Sequence, residues 1–254
     1  MKFVTWNVNS LKIRLPQVLD WLEAQQPDVI CLQETKLEDG NFPHAAIEAA
    51  GYQVRYIGQK AYNGVAILSR YALENVVAGI PGWEDPQQRV IAATVSGVRV
   101  ICVYVPNGQS LDSDKYQYKL AWLRALTRYL EDELVNYPKL AVLGDYNIAP
   151  ADEDVYDPVA WDGGVLVSLA ERAAFQGLLA LGLVDSFRLF DQAAGSFTWW
   201  DYRMAAFRRN MGARIDHILL SAALVGSCRK CEIDKEPRRR ERPSDHAPVI
   251  ITLE

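Results

Sequence analysis

No apolar run in this chain approaches the ~20 residues that a membrane-spanning helix needs. The first residues, Met1-Lys2-Phe3-Val4-Thr5-Trp6, go straight into a strand pattern with no signal-peptide core. Both absences lead us to expect a cytoplasmic protein with no membrane partner. Cysteine is scarce, at four in 254 residues. Cys31 and Cys102 sit inside apolar runs and read as inert core thiols. Cys228-Arg229-Lys230-Cys231 has redox or zinc spacing, but no second pair follows it and no thioredoxin-like context surrounds it. No glycine-rich loop precedes a Lys-Ser or Lys-Thr pair, so nucleotide hydrolysis of the P-loop kind is not indicated. An excess of positive charge is missing too: 27 Lys and Arg face 32 Asp and Glu, a net charge of −5. That balance argues against indiscriminate binding of nucleic acid over the whole surface. Low-complexity segments and clean linkers are also absent, and one domain is expected over residues 1–254.

What the chain does have is a series of strands that end in polar side chains. Leu140-Ala141-Val142-Leu143 reads as a buried strand closed by Gly144, and it delivers Asp145 and Asn147 to the rim of a sheet. Such rims are where open α/β sheets place their ligands. The plainer reading of this pair is an Asx-turn, in which both side chains bond their own backbone. Lys2 to Trp6 forms a strand that ends at Asn7. A helix follows, with Leu15, Val18, Leu19 and Leu22 on one face and Pro16 in its first turn. Asp28 to Leu32 then delivers Glu34. Parallel strands joined by a crossover helix end on the same edge, so Asn7 and Glu34 are expected to be neighbours.

The pattern continues downstream. Residues 52–57, 65–68, 73–79, 90–95 and 98–105 read as strands of a mixed or antiparallel sheet, with Ser96-Gly97 as a tight hairpin turn. The last of them carries Tyr104 and leads to Asn107. A long helix with Leu120, Leu123, Leu126, Leu130 and Leu134 on one face precedes the Gly144 strand. After Pro150 an irregular segment runs to about Val167, and Ser168-Leu169-Ala170-Glu171 has the form of a capping box. Phe197 to Tyr202 is aromatic and extended, Arg214 to Leu220 is a strand with Asp216 near its start, and Asp245-His246 precedes the closing strand Val249 to Leu253. Each half of the chain, 1–138 and 139–254, begins with a strand ending in polar residues. Two similar layers packed face to face are expected from that.

The clusters at Asn7, Glu34, Tyr104, Asp145 with Asn147, Asp216, and Asp245 with His246 are rich in carboxylates and amides and contain no thiolate. Hard oxygen ligands of this kind suit Mg²⁺, or Mn²⁺, better than zinc. A histidine beside a carboxylate, with such ligands close by, fits metal-assisted hydrolysis of a phosphoester. The charge is also uneven. Between Asp201 and Arg242 eleven Lys and Arg stand against six Asp and Glu, an excess of five dominated by Arg203, Arg208, Arg209, Arg214 and Arg238-Arg239-Arg240. Such asymmetry suggests a polyanion as partner, against the plainer reading of a solvated surface.

Six blocks lie along the chain: Thr5-Trp6-Asn7-Val8-Asn9, Leu32-Gln33-Glu34-Thr35-Lys36, Tyr104-Val105-Pro106-Asn107-Gly108, Gly144 to Pro150, Arg214-Ile215-Asp216-His217 and Ser244-Asp245-His246-Ala247-Pro248. Together, and in this order, they resemble the exonuclease III family of apurinic/apyrimidinic endonucleases. The resemblance covers nearly the whole chain. It implies a four-layer α/β sandwich in which two mixed sheets face each other and helices flank them. It further implies a monomer acting on double-stranded DNA with abasic sites or 3′ ends, cutting 5′ to the lesion or trimming the 3′ end with Mg²⁺.

By the same resemblance Glu34 is the principal metal ligand, with Asn7, Asp145, Asn147 and Asp245 in the metal and phosphate site. Asp145 orients and deprotonates the attacking water, and Asn147 holds water and phosphate in line. His246 bonds a phosphate oxygen, Asp216 fixes its tautomer, and Tyr104 assists at the phosphate or the leaving oxygen. Trp199, Ile215 and Phe207 are expected to line a pocket for a base-free sugar. Asn107, Arg203, Arg208 and Arg209 are expected to contact DNA, while Trp200, facing the other way, packs in the core. At Asn9 some members of that family carry aspartate.

Two rival readings stand beside this one. An adaptor of the same fold that had lost catalysis would be expected to have lost several of Glu34, Asp145, Asn147, Asp216 and His246, and all five are present. A phosphodiesterase of inositol phosphates or lipids is disfavoured by the aromatic block Trp199-Trp200-Asp201-Tyr202.

Overall fold

Runs such as Val29-Ile30-Cys31-Leu32 and Leu140-Ala141-Val142-Leu143 are apolar at every position, a pattern that suits strands covered on both faces. A computed structural model, which describes residues 1–254, gives them that place. In chain order the strands are β1 (Lys2–Asn7), β2 (Val29–Gln33), β3 (Gln53–Ile57), β4 (Val65–Ser69), β5 (Glu74–Ala78) and β6 (Val90–Val95). They continue as β7 (Val98–Tyr104), β8 (Leu140–Asp145), β9 (Leu183–Asp185), β10 (Asp216–Ser221), β11 (Cys228–Ile233) and β12 (Val249–Leu253). The helices are α1 (Leu11–Gln25), α2 (His44–Ala49), α3 (Asp114–Asn136), α4 (Pro158–Trp161), α5 (Leu169–Ala180) and α6 (Ala222–Val225).

The strands form two six-stranded sheets, ordered β11-β12-β1-β2-β4-β3 and β5-β6-β7-β8-β10-β9. Both are mixed: β1 runs parallel to β2, and β7 to β8, among antiparallel neighbours. Phe3, Val29, Cys31 and Ile67 of the first sheet pack against Val100, Cys102, Leu143 and Ile218 of the second. Outside the second sheet lie α3 and α5, through Trp122, Leu126, Leu130, Phe175 and Leu178. Outside the first lie α1 and α2, through Val18, Trp21, Leu22 and Ile47. This is the expected four-layer sandwich.

Several details differ from the sequence reading. The layers do not follow the halves of the chain. The first sheet takes β1–β4 and then β11 and β12 from the far end, while the second takes β5–β10 from both sides of residue 138. Pro16 lies inside α1 rather than in its first turn, because the helix starts at Leu11. Gly144 does not close its strand; β8 runs through it to Asp145. A Cβ at 144 would stand 1.9 Å from the Val103 carbonyl oxygen, so glycine is there to let β7 and β8 come together. Cys228 and Cys231 are buried on β11, where a register shift between Cys228 and Lys230 breaks the alternation and turns both thiols inward. The capping box at Ser168 and Glu171 and the Ser96-Gly97 turn, with φ of 49° and 80°, are as expected.

Candidate active site

The register brings the polar strand ends to one rim. Asp145 at the end of β8 has Tyr104 beside it on β7 and Asp216 beside it on β10. The end of β1 faces them from the other sheet. Asn7 links the layers by donating from Nδ2 to Asp145 Oδ2 and to Glu34 Oε1, each at 2.9 Å. Glu34 is thus the neighbour of Asn7 that the crossover topology requires. Beyond β8 the chain turns through Asn147 at φ 48°, and the Asn147 amide donates to Asp145 Oδ1 at 2.9 Å. The Asx-turn and the functional cluster are one structure.

His246 lies under this rim, with Nδ1 at 2.8 Å from Asp216 Oδ2 and Nε2 at 3.8 Å from Asp145 Oδ2. Its burial works against a positive charge, but the Asp216 and Asp145 carboxylates outweigh burial and hold its pKa up at about 10. Burial pushes the Asp145 carboxyl up to about 7, even with the His246 charge next to it. Tyr104 is pushed well above the ordinary phenol range by burial and then by Glu34 and Asp145, so it keeps its proton. Arg89 stacks 4.5 Å from the centre of its ring. Glu34 behaves differently. Burial works against its charge, yet Lys36, at 2.8 Å from Oε2, holds it below the usual carboxylate range. Glu34 and Lys36 have φ of 53° and 54°, values uncommon outside glycine, which aim both side chains into the cleft.

The donor set fits a hard divalent cation in part. Ligand atoms of Glu34, Asp145 and His246 lie within 4.8 Å of one another. The two carboxylates and the Asn7 amide suit such an ion; a charged imidazole has no free lone pair and suits hydrogen-bond donation instead. The Lys36 ammonium already occupies Glu34 Oε2, so a metal ion would share that carboxylate with it or displace it. Two further expected ligands are hydrogen-bonded within the same cluster. Asn147 Oδ1 accepts from Asn107 Nδ2 at 3.0 Å, and its own Nδ2 is spent on Val105 O and Asp145 Oδ2. Asp245 accepts from Asn9 Nδ2 and Trp199 Nε1, each at 2.9 Å, so both its oxygens are engaged.

The expected DNA contacts divide. Trp199 is half-buried and lines a cavity of about 290 Å³ with Tyr156, Trp161, Arg203, Met204 and Met211. Asn107, Arg203, Arg208 and Arg209 are exposed, with Arg203 forked onto Asp201. Ile215 and Phe207 are not on that cavity. Ile215 is buried with Val155 and Leu166, and Phe207 stands edge-on against the buried Trp200, with ring centres 5.1 Å apart. Nor is all of the local positive charge at the surface. Arg214 is buried between Asp154 and Asp185, and Arg238 is buried with its Nη1 on the Ser244 carbonyl.

Sequence reasoning gave no role to Lys36, Arg14, Thr198 or Ser244. Arg14 ties the Asn9 carbonyl to Tyr202 and Pro243. Thr198 Oγ1 accepts the amides of Ile215 and Asp216, and Ser244 Oγ donates to the Asn7 carbonyl. Lys36 and Ser244 carried a signal, each standing two residues from Glu34 or His246 in the same motif; Arg14 and Thr198 carried none.

Two facing mixed sheets, with a carboxylate, amide and histidine cluster on their shared rim, define a class of phosphoester hydrolases. Residues 4–246 match the Endonuclease/Exonuclease/phosphatase family, and the chain belongs to it. Among curated proteins it is 38% identical over 262 residues to exodeoxyribonuclease III of Haemophilus influenzae, covering 98% of each chain. Among solved structures it matches the 3′ phosphatase NExo from Neisseria bound to product DNA hairpin, at 51% identity and a TM-score of 0.98, covering 100% of this chain and 99% of the other. An AP endonuclease from Archaeoglobus fulgidus matches at 39% identity and a TM-score of 0.96, with the same coverage. Within the family the chain falls in the exonuclease III and AP endonuclease branch, and it is a nuclease enzyme of the DNA-repair type.

Proposed function

We propose that this chain is a divalent-metal-dependent DNA phosphodiesterase that trims 3′ ends and cuts 5′ to abasic sites, working as a monomer in the cytoplasm. The observation that carries the reading is the row Asp145, His246, Asp216, with Asn147 and Asn7 bonded to its first member. Hydrolysis forms a bond from water oxygen to phosphorus, breaks the bond to the 3′ oxygen, and moves one proton at each end. Asp145, beside His246 and bonded by Asn7 and Asn147, takes the water proton. Asn147, fixed by its turn, bonds Asp145 through both its amide and its Nδ2 and so keeps that carboxylate aligned on the water. His246 keeps its proton and donates to a non-bridging oxygen as negative charge grows there. Tyr104, also protonated, stands beside Asp145 on β7 and faces the leaving 3′ oxygen. Glu34 and Asn7, with the adjoining Asp145, would hold the metal ion. When bound, Mg²⁺ or Mn²⁺ supplies neutralisation of the phosphate and a lowered pKa for water.

The Neisseria relative, a 3′ phosphatase bound to product DNA, supports 3′-end processing. The aromatic cavity at Trp199 favours abasic sites as a second substrate, since a base-free sugar turned out of the helix needs an apolar pocket. The test uses two labelled duplexes, each with Mg²⁺ and with EDTA. One carries an internal tetrahydrofuran abasic analogue and the other a recessed undamaged 3′ end. A Mg²⁺-dependent nick at the analogue and a ladder from the 3′ end are expected. Silence on both overturns the proposal and favours the adaptor reading. Asp145→Asn is expected to lower turnover about 10²–10⁴-fold while DNA affinity is retained; a near-wild-type rate removes Asp145 as the base.

A further inference from the structure

One charged side chain sits behind the catalytic loops without reaching the cleft. Lys119, on α3, is fully buried. Its ammonium has three protons and meets three acceptors: the Asn147 carbonyl at 2.6 Å, the Asn107 carbonyl at 3.1 Å, and the Glu171 carboxylate. Glu171, on α5 and equally buried, also accepts from the Leu166 amide, the Ser168 amide and the Ser168 hydroxyl. The ion pair is satisfied throughout, yet no part of it touches water.

Stability alone is a poor reason for such a pair. Well-packed apolar residues of the same volume serve as well or better, because two charges must be stripped of water. What an apolar pair could not do is grip two carbonyls. Asn107 follows β7 and Asn147 follows β8, and their side chains bond each other on the cleft side. Lys119 bonds their backbones from behind. Asn147 stands at φ 48°, and the direction of its carbonyl decides whether that turn persists. The same turn delivers Asn147 Nδ2 to Asp145.

We propose that Lys119, with Glu171 as its counter-ion, is a positioning residue for catalysis: it clamps the Asn107 and Asn147 carbonyls and so keeps the Asn147 side chain aligned on Asp145. The assignment rests on the nuclease reading above. Its test avoids the single variant, which would strand the Glu171 charge in the interior and penalise folding. The double variant Lys119→Met with Glu171→Gln removes both charges together. It is expected to melt cooperatively and keep the wild-type KM, while kcat falls about 10–100-fold through a misplacement far smaller than an unfolding.

Placed on an Asn147→Ala background, the same double change is expected to cost little more, because the residue through which Lys119 acts is gone. An unchanged kcat, or losses that simply multiply, overturns the proposal. Amide exchange gives a readout that needs no turnover. Asn147 N–H is held by Asp145 Oδ1 and Ala149 N–H by the Leu166 carbonyl. Both are expected to exchange faster in the double variant, and equal rates overturn the clamp. If the wild-type chain cuts no DNA, the nuclease reading fails and the exchange rates alone decide for or against Lys119.

Discussion

A histidine enclosed by carboxylates keeps its proton at pH values where free imidazole has lost it. Asp216 touches His246 Nδ1, Asp145 lies beyond Nε2, and Asp245 precedes it in the chain. The rate is therefore expected to rise as Asp145 loses its proton, below about 7 with a cation bound, and to fall as His246 loses its own, which the same cation brings below about 10. Asp216→Asn removes the anion that favours the charged imidazole, so the alkaline fall should move toward lower pH. A pH–rate profile of the variant checks this; an alkaline limb that stays in place removes Asp216 from the role. At this scale the site was legible wherever a short side chain stood at a strand end, as for Asn7, Asp145, Asp216 and His246. Lys119 was not. A lysine's four-carbon stem reaches across elements, and on a helix such as α3 it reads as one more solvated charge.

Among the elements, the closeness of β7 and β8 sets the spacing between Tyr104 and Asp145. Gly144 makes that closeness available. A Gly144→Ala side chain would meet the Val103 backbone, which cannot swing aside as a flexible side chain would. Overpacking of this kind costs about 1–3 kcal/mol, and the lost stability should appear as a lower urea midpoint with the same slope. An unchanged midpoint would mean that β7 can move. Long strands and the long helix were readable because their apolar periods persist over many residues. The short pieces were not: α2, α4, α6 and β9 give a period too few turns to show itself. β11 hides further, since its bulge places two charged residues between the inward thiols. Pro16 misled the start of α1 because proline marks a first turn more often than an interior.

For the molecule as a whole, charge is sorted rather than spread. The net charge of −5 coexists with exposed Arg203, Arg208 and Arg209 on the loop beside Trp199. DNA affinity should fall with added salt, since each phosphate neutralised contributes about 0.9 to the slope of log K against log salt. Arg208→Ala with Arg209→Ala should flatten that slope by about 1 for each phosphate no longer neutralised, as titrations at several salt concentrations would show. An unchanged slope takes both arginines out of the interface. The count of basic residues overstated this surface because it could not tell Arg214 and Arg238, which are interior, from arginines that face solvent. The sandwich itself was legible, but not which strand joins which sheet. Polar strand ends recur in both halves of the chain, whereas sheet membership is set by long-range pairing that leaves no local trace.

β12 completes the first sheet beside β1, and the Leu253 amide bonds the Met1 carbonyl at 2.7 Å, so the two ends of the chain are stitched together. Asp245 and His246 stand just ahead of β12, while Asn7 stands at the end of β1. A chain still emerging from the ribosome can present Asn7, Glu34 and Asp145, but it has no imidazolium and no strand to finish the sheet that carries them. Competence to cut is therefore expected only once the stretch from Asp245 to Leu253 has been made and has docked beside β1.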